Sequence, residues 1–292
     1  SLRTIERAVE RGVTLFDTGD FYGMGHNELL LGEALRRHRD RVLLSVKFGA
    51  LRDPDGGWLG VDGRPVAVKN FAAQSLVRLG TDCLDVYRLA RIDPLVPIED
   101  TIGAIAELVQ RGHVRHIGLS EVSAETLRRA HAVHPIVDVQ IEYSLLSRGP
   151  EASLLPTLRE LGVAMTAYGV LSRGLLSGSR PTGRGDFRAY LPRFTGANAD
   201  HNARLHAMLA ELAAAKGTTP TRLAIAWVLQ QDECIVPVLG ARTVAQLDEA
   251  LAALELPLDG GTLRALETLF PPGAAAGDRY DAHQMAILDS ER

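Results

Sequence analysis

Short apolar runs and helical patterns alternate along this whole chain, and that alternation constrains its fold more than any other feature. Runs at 14–17, 42–47, 83–89, 114–119, 137–140, 163–167 and 234–238 each have the length of one buried strand. Helical patterns lie at 2–11, 27–37, 66–79, 98–111, 123–132, 151–161, 201–216, 220–230 and 244–254. Within 98–111, for example, Ile102, Ile105, Ala106 and Val109 recur at helical spacing. Regular strand–helix succession requires parallel strands joined by crossover helices, hence an α/β fold.

Polar residues of functional type stand at the C-terminal ends of nearly all these strands. A closed (β/α)8 barrel of the TIM type gathers such ends around one mouth, whereas an open sheet spreads them along an edge. The reading is therefore a single barrel domain over 1–292. Seven strands are legible and the sequence opens on a helix, so the expected barrel lacks, or is truncated before, its first strand. Two segments break the rhythm. The stretch 169–200, rich in Gly, Arg, Ser and Pro, is expected to be a loop over the mouth, and 271–292 an irregular tail.

Composition narrows the partners. A net charge of −4 is too mild to point to nucleic acid or an anionic membrane. No apolar run has the length of a membrane span, which leaves a cytoplasmic enzyme acting on a small molecule as the expectation, with oligomerisation open. Cys83 and Cys234 read as reduced thiols beside strands. The histidines lack metal-ligand spacing, so no metal site is expected. Asp53 and Asp55, in Arg52-Asp53-Pro54-Asp55-Gly56-Gly57, read as a turn.

Three residues carry chemistry: Asp17 and Tyr22 in Phe16-Asp17-Thr18-Gly19-Asp20-Phe21-Tyr22-Gly23, and Lys47 in Val46-Lys47-Phe48-Gly49. A lysine beside a phenol lowers the phenol's pKa from about 10, and a carboxylate beside the lysine holds it in place. Together they make a proton donor. A bare structural ion pair, with Tyr22 only packing, is the competing reading.

These strings, with Val114-Arg115-His116-Ile117-Gly118-Leu119-Ser120-Glu121 and Val236-Pro237-Val238-Leu239-Gly240, resemble the aldo-keto reductase superfamily over essentially the whole chain. Arg91-Ile92-Asp93-Pro94, Leu191-Pro192-Arg193-Phe194 and Gly277-Asp278-Arg279-Tyr280 are similar to its microbial branch of pyridoxal-reductase-like aldehyde reductases. The resemblance implies an NADPH/NADP-dependent oxidoreductase on a (β/α)8 barrel. Tyr22 would be the general acid, tuned by Lys47 and Asp17.

It also implies a cofactor site. Ser120, Glu121 and Gln140 match positions at the nicotinamide carboxamide, and Tyr168 matches the aromatic that stacks on the ring. Gly169, Leu171, Arg173 and Gly174 match the run beneath the pyrophosphate, with Gly169 and Val170 replacing the family's Ser and Pro. Gly240 and Arg242 match phosphate positions, and Arg242, as the candidate for the 2′-phosphate, favours NADPH over NADH. Gln246 and Glu249 match positions near the adenosine, while Ala250 replaces the family's Asn.

One departure matters most. The family pattern Tyr-x-x-His-Arg-x-Asp reads here Tyr87-Arg88-Leu89-Ala90-Arg91-Ile92-Asp93. Ala90 removes an imidazole that would orient the substrate oxygen. Losing such a donor costs roughly 10²–10³ in rate. The leading expectation is carbonyl reduction to an alcohol. Reduction of an activated C=C bond, another specialised-metabolism step, or NADPH binding with little catalysis are the alternatives that Ala90 raises.

Overall fold

The computed structural model describes residues 2–183 and 185–292, so residue 184 of the expected mouth loop lies outside the described residues. The chain separates into two compact units. The first comprises residues 2–140 with Arg242–Val244 and Arg292, the second Ile141–Ala241 with Ala245–Glu291.

The first unit runs α1 (Leu2–Glu10), β1 (Leu15–Gly19), α2 (His26–Leu35), β2 (Leu43–Phe48), a hairpin of β3 (Ala50–Arg52) and β4 (Trp58–Val61), then α3 (Pro65–Leu79). It continues with β5 (Leu84–Leu89), α4 (Ile98–Gln110), β6 (Val114–Ser120), α5 (Ala124–Val133) and β7 (Ile136–Glu142), whose last two residues fall in the second unit. The order β1-β2-β5-β6-β7 is parallel throughout, as strand–helix alternation demands. Every expected strand of this unit is present, displaced by at most two residues. Buried on both faces, β5 has all six residues inside, which is why such strands read as apolar runs.

Helix ends follow capping chemistry. The Ser123 hydroxyl accepts the Thr126 N–H at the start of α5, and Gly80 closes α3 in the left-handed conformation. Gly32 lets α2 lie against the end of α3, since a Cβ there would stand 2.6 Å from the Leu79 carbonyl oxygen. The expected turn at 52–57 is real: Asp53 accepts the Gly57 N–H and turns β3 back into β4, whose short strands the apolar pattern did not mark.

The second unit contains α6 (Leu154–Leu161), β8 (Ala164–Tyr168), α7 (Gly196–Ala215), α8 (Pro220–Leu229) and β9 (Ile235–Pro237). It ends with α9 (Val244–Leu251), α10 (Gly260–Leu269) and α11 (Ala282–Ala286). Strands β8 and β9 pair in parallel. The segment 169–200 is not a structureless loop: it holds 3₁₀ turns at Ser172–Ser177, Phe187–Tyr190 and Pro192–Phe194 and the first turn of α7. Helix α10 lies beyond the last helical pattern read from sequence. Asp259 caps it by accepting the Thr262 N–H, and Leu266 is its fully buried contact. Among the described residues, no helix is long and apolar enough to cross a membrane.

Candidate active site

Parallel register in the first unit sets polar side chains in rows. Gly19 aligns with Lys47, Lys47 with Arg88, Arg88 with Gly118, and Gly118 with Asp138. One row back, Asp17 aligns with Ser45, and towards the C-terminal ends Ser120 aligns with Gln140. Because side chains alternate between faces, Asp17, Ser45, Lys47, Arg88, Asp138 and Gln140 converge.

Asp17 is the hub. One carboxylate oxygen, Oδ2, accepts from the Lys47 ammonium. The other, Oδ1, accepts from the Ser45 hydroxyl at 2.9 Å, the Arg88 guanidinium at 2.9 Å and the Gln140 amide at 3.1 Å. Burial alone would raise the Asp17 pKa. The Lys47 and Arg88 charges, with the hydrogen bonds from Lys47 and Ser45, instead hold it below the usual carboxylate value. The hub is therefore an anion with two cations on it.

Tyr22 stands in the turn after β1. Its N–H donates to the Gly19 carbonyl at 2.9 Å, and its carbonyl accepts the Asn27 N–H at the start of α2. Phe21 packs edge-on against its ring at 4.9 Å, and the Lys47 ammonium lies 5.0 Å from the ring centroid. Left-handed backbone at Gly23, Met24 and Gly25 lets this short segment turn into α2. Tyr22 is 40% exposed, beside the buried Lys47. The expected trio is thus brought together.

Ala90 is buried two residues beyond Arg88, its N–H donating to the Phe48 carbonyl. A methyl group offers no donor at that point. Ser120 and Gln140 sit side by side near the same strand ends, both buried. The N–H of fully buried Glu121 donates to the Gln140 carbonyl, and Glu121 has left-handed backbone. Arg242, exposed, is tied through its carbonyl to the Thr4 hydroxyl of α1. Gly240 and Gln246 are also exposed.

Tyr168, Gly169, Leu171, Arg173 and Gly174 lie in the second unit, which also holds buried Glu142. Glu142 accepts from the Ser147 hydroxyl and pairs with Arg173 at 2.9 Å, Arg193 at 3.5 Å and Arg279 at 3.8 Å. Burial and the neighbouring Arg173 and Arg279 charges push the Arg193 pKa down, against the pull of Glu142. Gly169 is left-handed, and a Cβ there would press on the Glu142 side chain at 3.0 Å, so glycine is required.

The Arg173 guanidinium also donates to the Arg279 carbonyl and stacks on the Tyr280 ring at 4.4 Å. The Tyr280 phenol bonds the Tyr168 phenol at 3.0 Å. The tail expected to be irregular is therefore tied down at Arg279 and Tyr280. Both Glu249 oxygens are engaged, by Thr219 at 2.5 Å and by Arg222 at 2.6 Å.

Sequence reading missed Ser45, Arg88 and Asp138. For Arg88 and Asp138 the signal was present: charged residues inside the runs 84–89 and 136–141 are costly to bury unless they are paired.

The family model for the aldo/keto reductases matches residues 1–269. The chain belongs to the aldo/keto reductase family. Probable aldo-keto reductase 1 of Glycine max is 40% identical over 287 residues, covering 96% of this chain and 82% of the soybean protein. The glycerol dehydrogenase of Gluconobacter oxydans superposes with a TM-score of 0.85 at 27% identity, over 92% of this chain and 84% of that one. An aldo/keto reductase of Klebsiella pneumoniae, solved with NADP and acetate, gives 0.74 at 27% identity, over 96% and 88%. The chain thus has the α/β fold of an oxidoreductase family with NADP-bound members.

Proposed function

We propose that this protein is an NADPH-dependent carbonyl reductase on a (β/α)8 barrel, with Tyr22 as its general acid. One observation carries the reading: the Lys47 ammonium lies between the Asp17 carboxylate and the Tyr22 ring, in a chain of this family. When bound, NADPH supplies the hydride that a carbonyl carbon receives.

The residues fit such a cofactor. No acidic side chain occupies the first turn of α9, and a Cβ at Gly240 would meet no atom within 4 Å. The start of α9 therefore sets no acidic side chain against an anion. Arg242 would hold a phosphate, and Ser120 and Gln140 would hold the carboxamide. The corresponding roles of Glu121, Tyr168, the 169–174 run, Gln246 and Glu249 rest on the resemblance alone.

The chain's own part is proton delivery. As charge develops on the substrate oxygen, the Tyr22 hydroxyl donates its proton, and the resulting phenolate is stabilised by the Lys47 ammonium. Asp17 holds that ammonium in place, because its own protons are held off by Lys47 and Arg88. Ala90 favours a second reading, reduction of a polarised C=C bond, since an oxygen there meets one donor fewer.

Fluorescence titration with NADPH and NADH, followed by turnover on an aldehyde, a ketone and an enone, tests the proposal. Tighter NADPH binding with aldehyde or ketone turnover is expected. Enone-only turnover would replace the leading reading by the second, and no NADPH binding would end both.

A further inference from the structure

We propose that Arg88 and Asp138 form a buried charge relay that sets how strongly Lys47 acts on Tyr22, making both of them positioning residues for the proton donor. The inference rests on the reading of Tyr22 as the acid. Neither residue touches Tyr22; each acts through Asp17 and Lys47.

The geometry is specific. The Arg88 guanidinium is fully buried and reaches three partners: Asp17 Oδ1 at 2.9 Å and Ser45 Oγ at 2.6 Å from one nitrogen, and Asp138 from another. Burial opposes its charge, but Asp138 and Asp17 more than offset this and raise its pKa above the usual value. It is a permanent cation. Gly118 makes room for it, because a Cβ at that position would stand 3.1 Å from Arg88 Nε and would also overlap the Asp138 carboxylate. Arginine, aspartate and glycine on three successive strands are thus one feature.

Its electrostatic consequence follows from how Asp17 is shared. If Lys47 were the sole cation on Asp17, the pair would largely cancel when viewed from Tyr22. Arg88 claims the second oxygen, so part of the Asp17 charge is taken up by the guanidinium and the Lys47 ammonium is less neutralised. Asp138, one strand further along than Gly118, draws Arg88 the other way and limits that effect. Arg88 aligns directly with Lys47, whereas Asp138 is two strands beyond Arg88, so Arg88 dominates at Tyr22.

The sharing predicts opposite signs for two variants. Asp138→Asn leaves Arg88 wholly on Asp17 and should lower the midpoint of the Tyr22 phenol titration. Arg88→Met with Asp138→Ala removes the whole relay and should shift it upward.

The readout is tyrosinate absorbance, taken as the difference between each protein and its Tyr22→Phe counterpart, without substrate or cofactor. Arg88→Lys, which keeps the charge, should restore most of the parental midpoint. Unchanged midpoints in Asp138→Asn and in the double variant, or shifts of the same sign, would overturn the relay. If the double variant does not fold, the sign of the Asp138→Asn shift alone decides: downward supports the relay, no shift or upward overturns it. Failure of the functional reading would show separately, as absent NADPH-dependent turnover in the parent protein.

Discussion

Asp20→Asn should make the protein insensitive to a pH change that weakens the parent. Asp20 lies between Asp17 and Tyr22 in sequence, and neither of its buried carboxylate oxygens has a hydrogen-bond partner of good geometry. Burial and the Glu28 charge raise its pKa to about 7, with the Gly49 and Phe21 amides and Arg78 offsetting only part. Glu28 is itself fully buried, with Arg78 bonded to one oxygen at 2.5 Å. An unfolded Asp titrates near 3.9, so between about pH 4 and pH 7 the folded state holds a proton that the unfolded state has lost. Stability therefore falls as pH rises through that window and levels off above it. Three units correspond to about 4 kcal/mol, and partial solvent access reduces this to roughly 2–3 kcal/mol. Asparagine cannot ionise, so the variant gains that amount over the parent at pH 8 and nothing at pH 4. Urea denaturation of both proteins at the two pH values, followed by circular dichroism, measures the difference between differences and cancels every other titrating group. A gain of equal size at both pH values would refute the reasoning.

Three further outcomes follow from the same contacts. Gly118→Ala should cost about 1–3 kcal/mol in the same denaturation assay, because its methyl group collides with the Arg88–Asp138 pair. Ala90→His should raise aldehyde turnover by roughly 10²-fold if the missing donor limits carbonyl reduction, and steady-state kinetics would read the change. Arg193→Met should destabilise the second unit by about 1–3 kcal/mol, since the Gly277 carbonyl and the Ser147 hydroxyl lose this donor while Arg173 and Arg279 still compensate buried Glu142, visible as a lower melting temperature.

Much of the first unit was legible because β2, β5 and β7 are largely buried on both faces and its helices on one, so periodicity and burial report the same thing. Asp17, Tyr22 and Lys47 were legible for a different reason: each interrupts or follows an apolar run at a strand's end. Arg88 and Asp138 were not, although they stand in the sequence just as plainly. Their meaning depends on register across β5, β6 and β7, and one chain read linearly does not show that Arg88 and Asp138 both face the space above Gly118. The same limit hid the tail. Arg279 and Tyr280 look like part of an irregular segment until Glu142, far earlier in the chain, is seen to receive Arg279. Helix α10 escaped because its apolar positions are few and its start is set by the Asp259 cap.

The most direct test of the account is single-turnover reduction of an aldehyde by the NADPH-loaded protein, comparing the parent with Tyr22→Phe. The account predicts that the phenylalanine variant still binds NADPH but loses reduction by about 10²-fold or more, the contribution of a positioned acid. Reduction at the parental rate by Tyr22→Phe would contradict it.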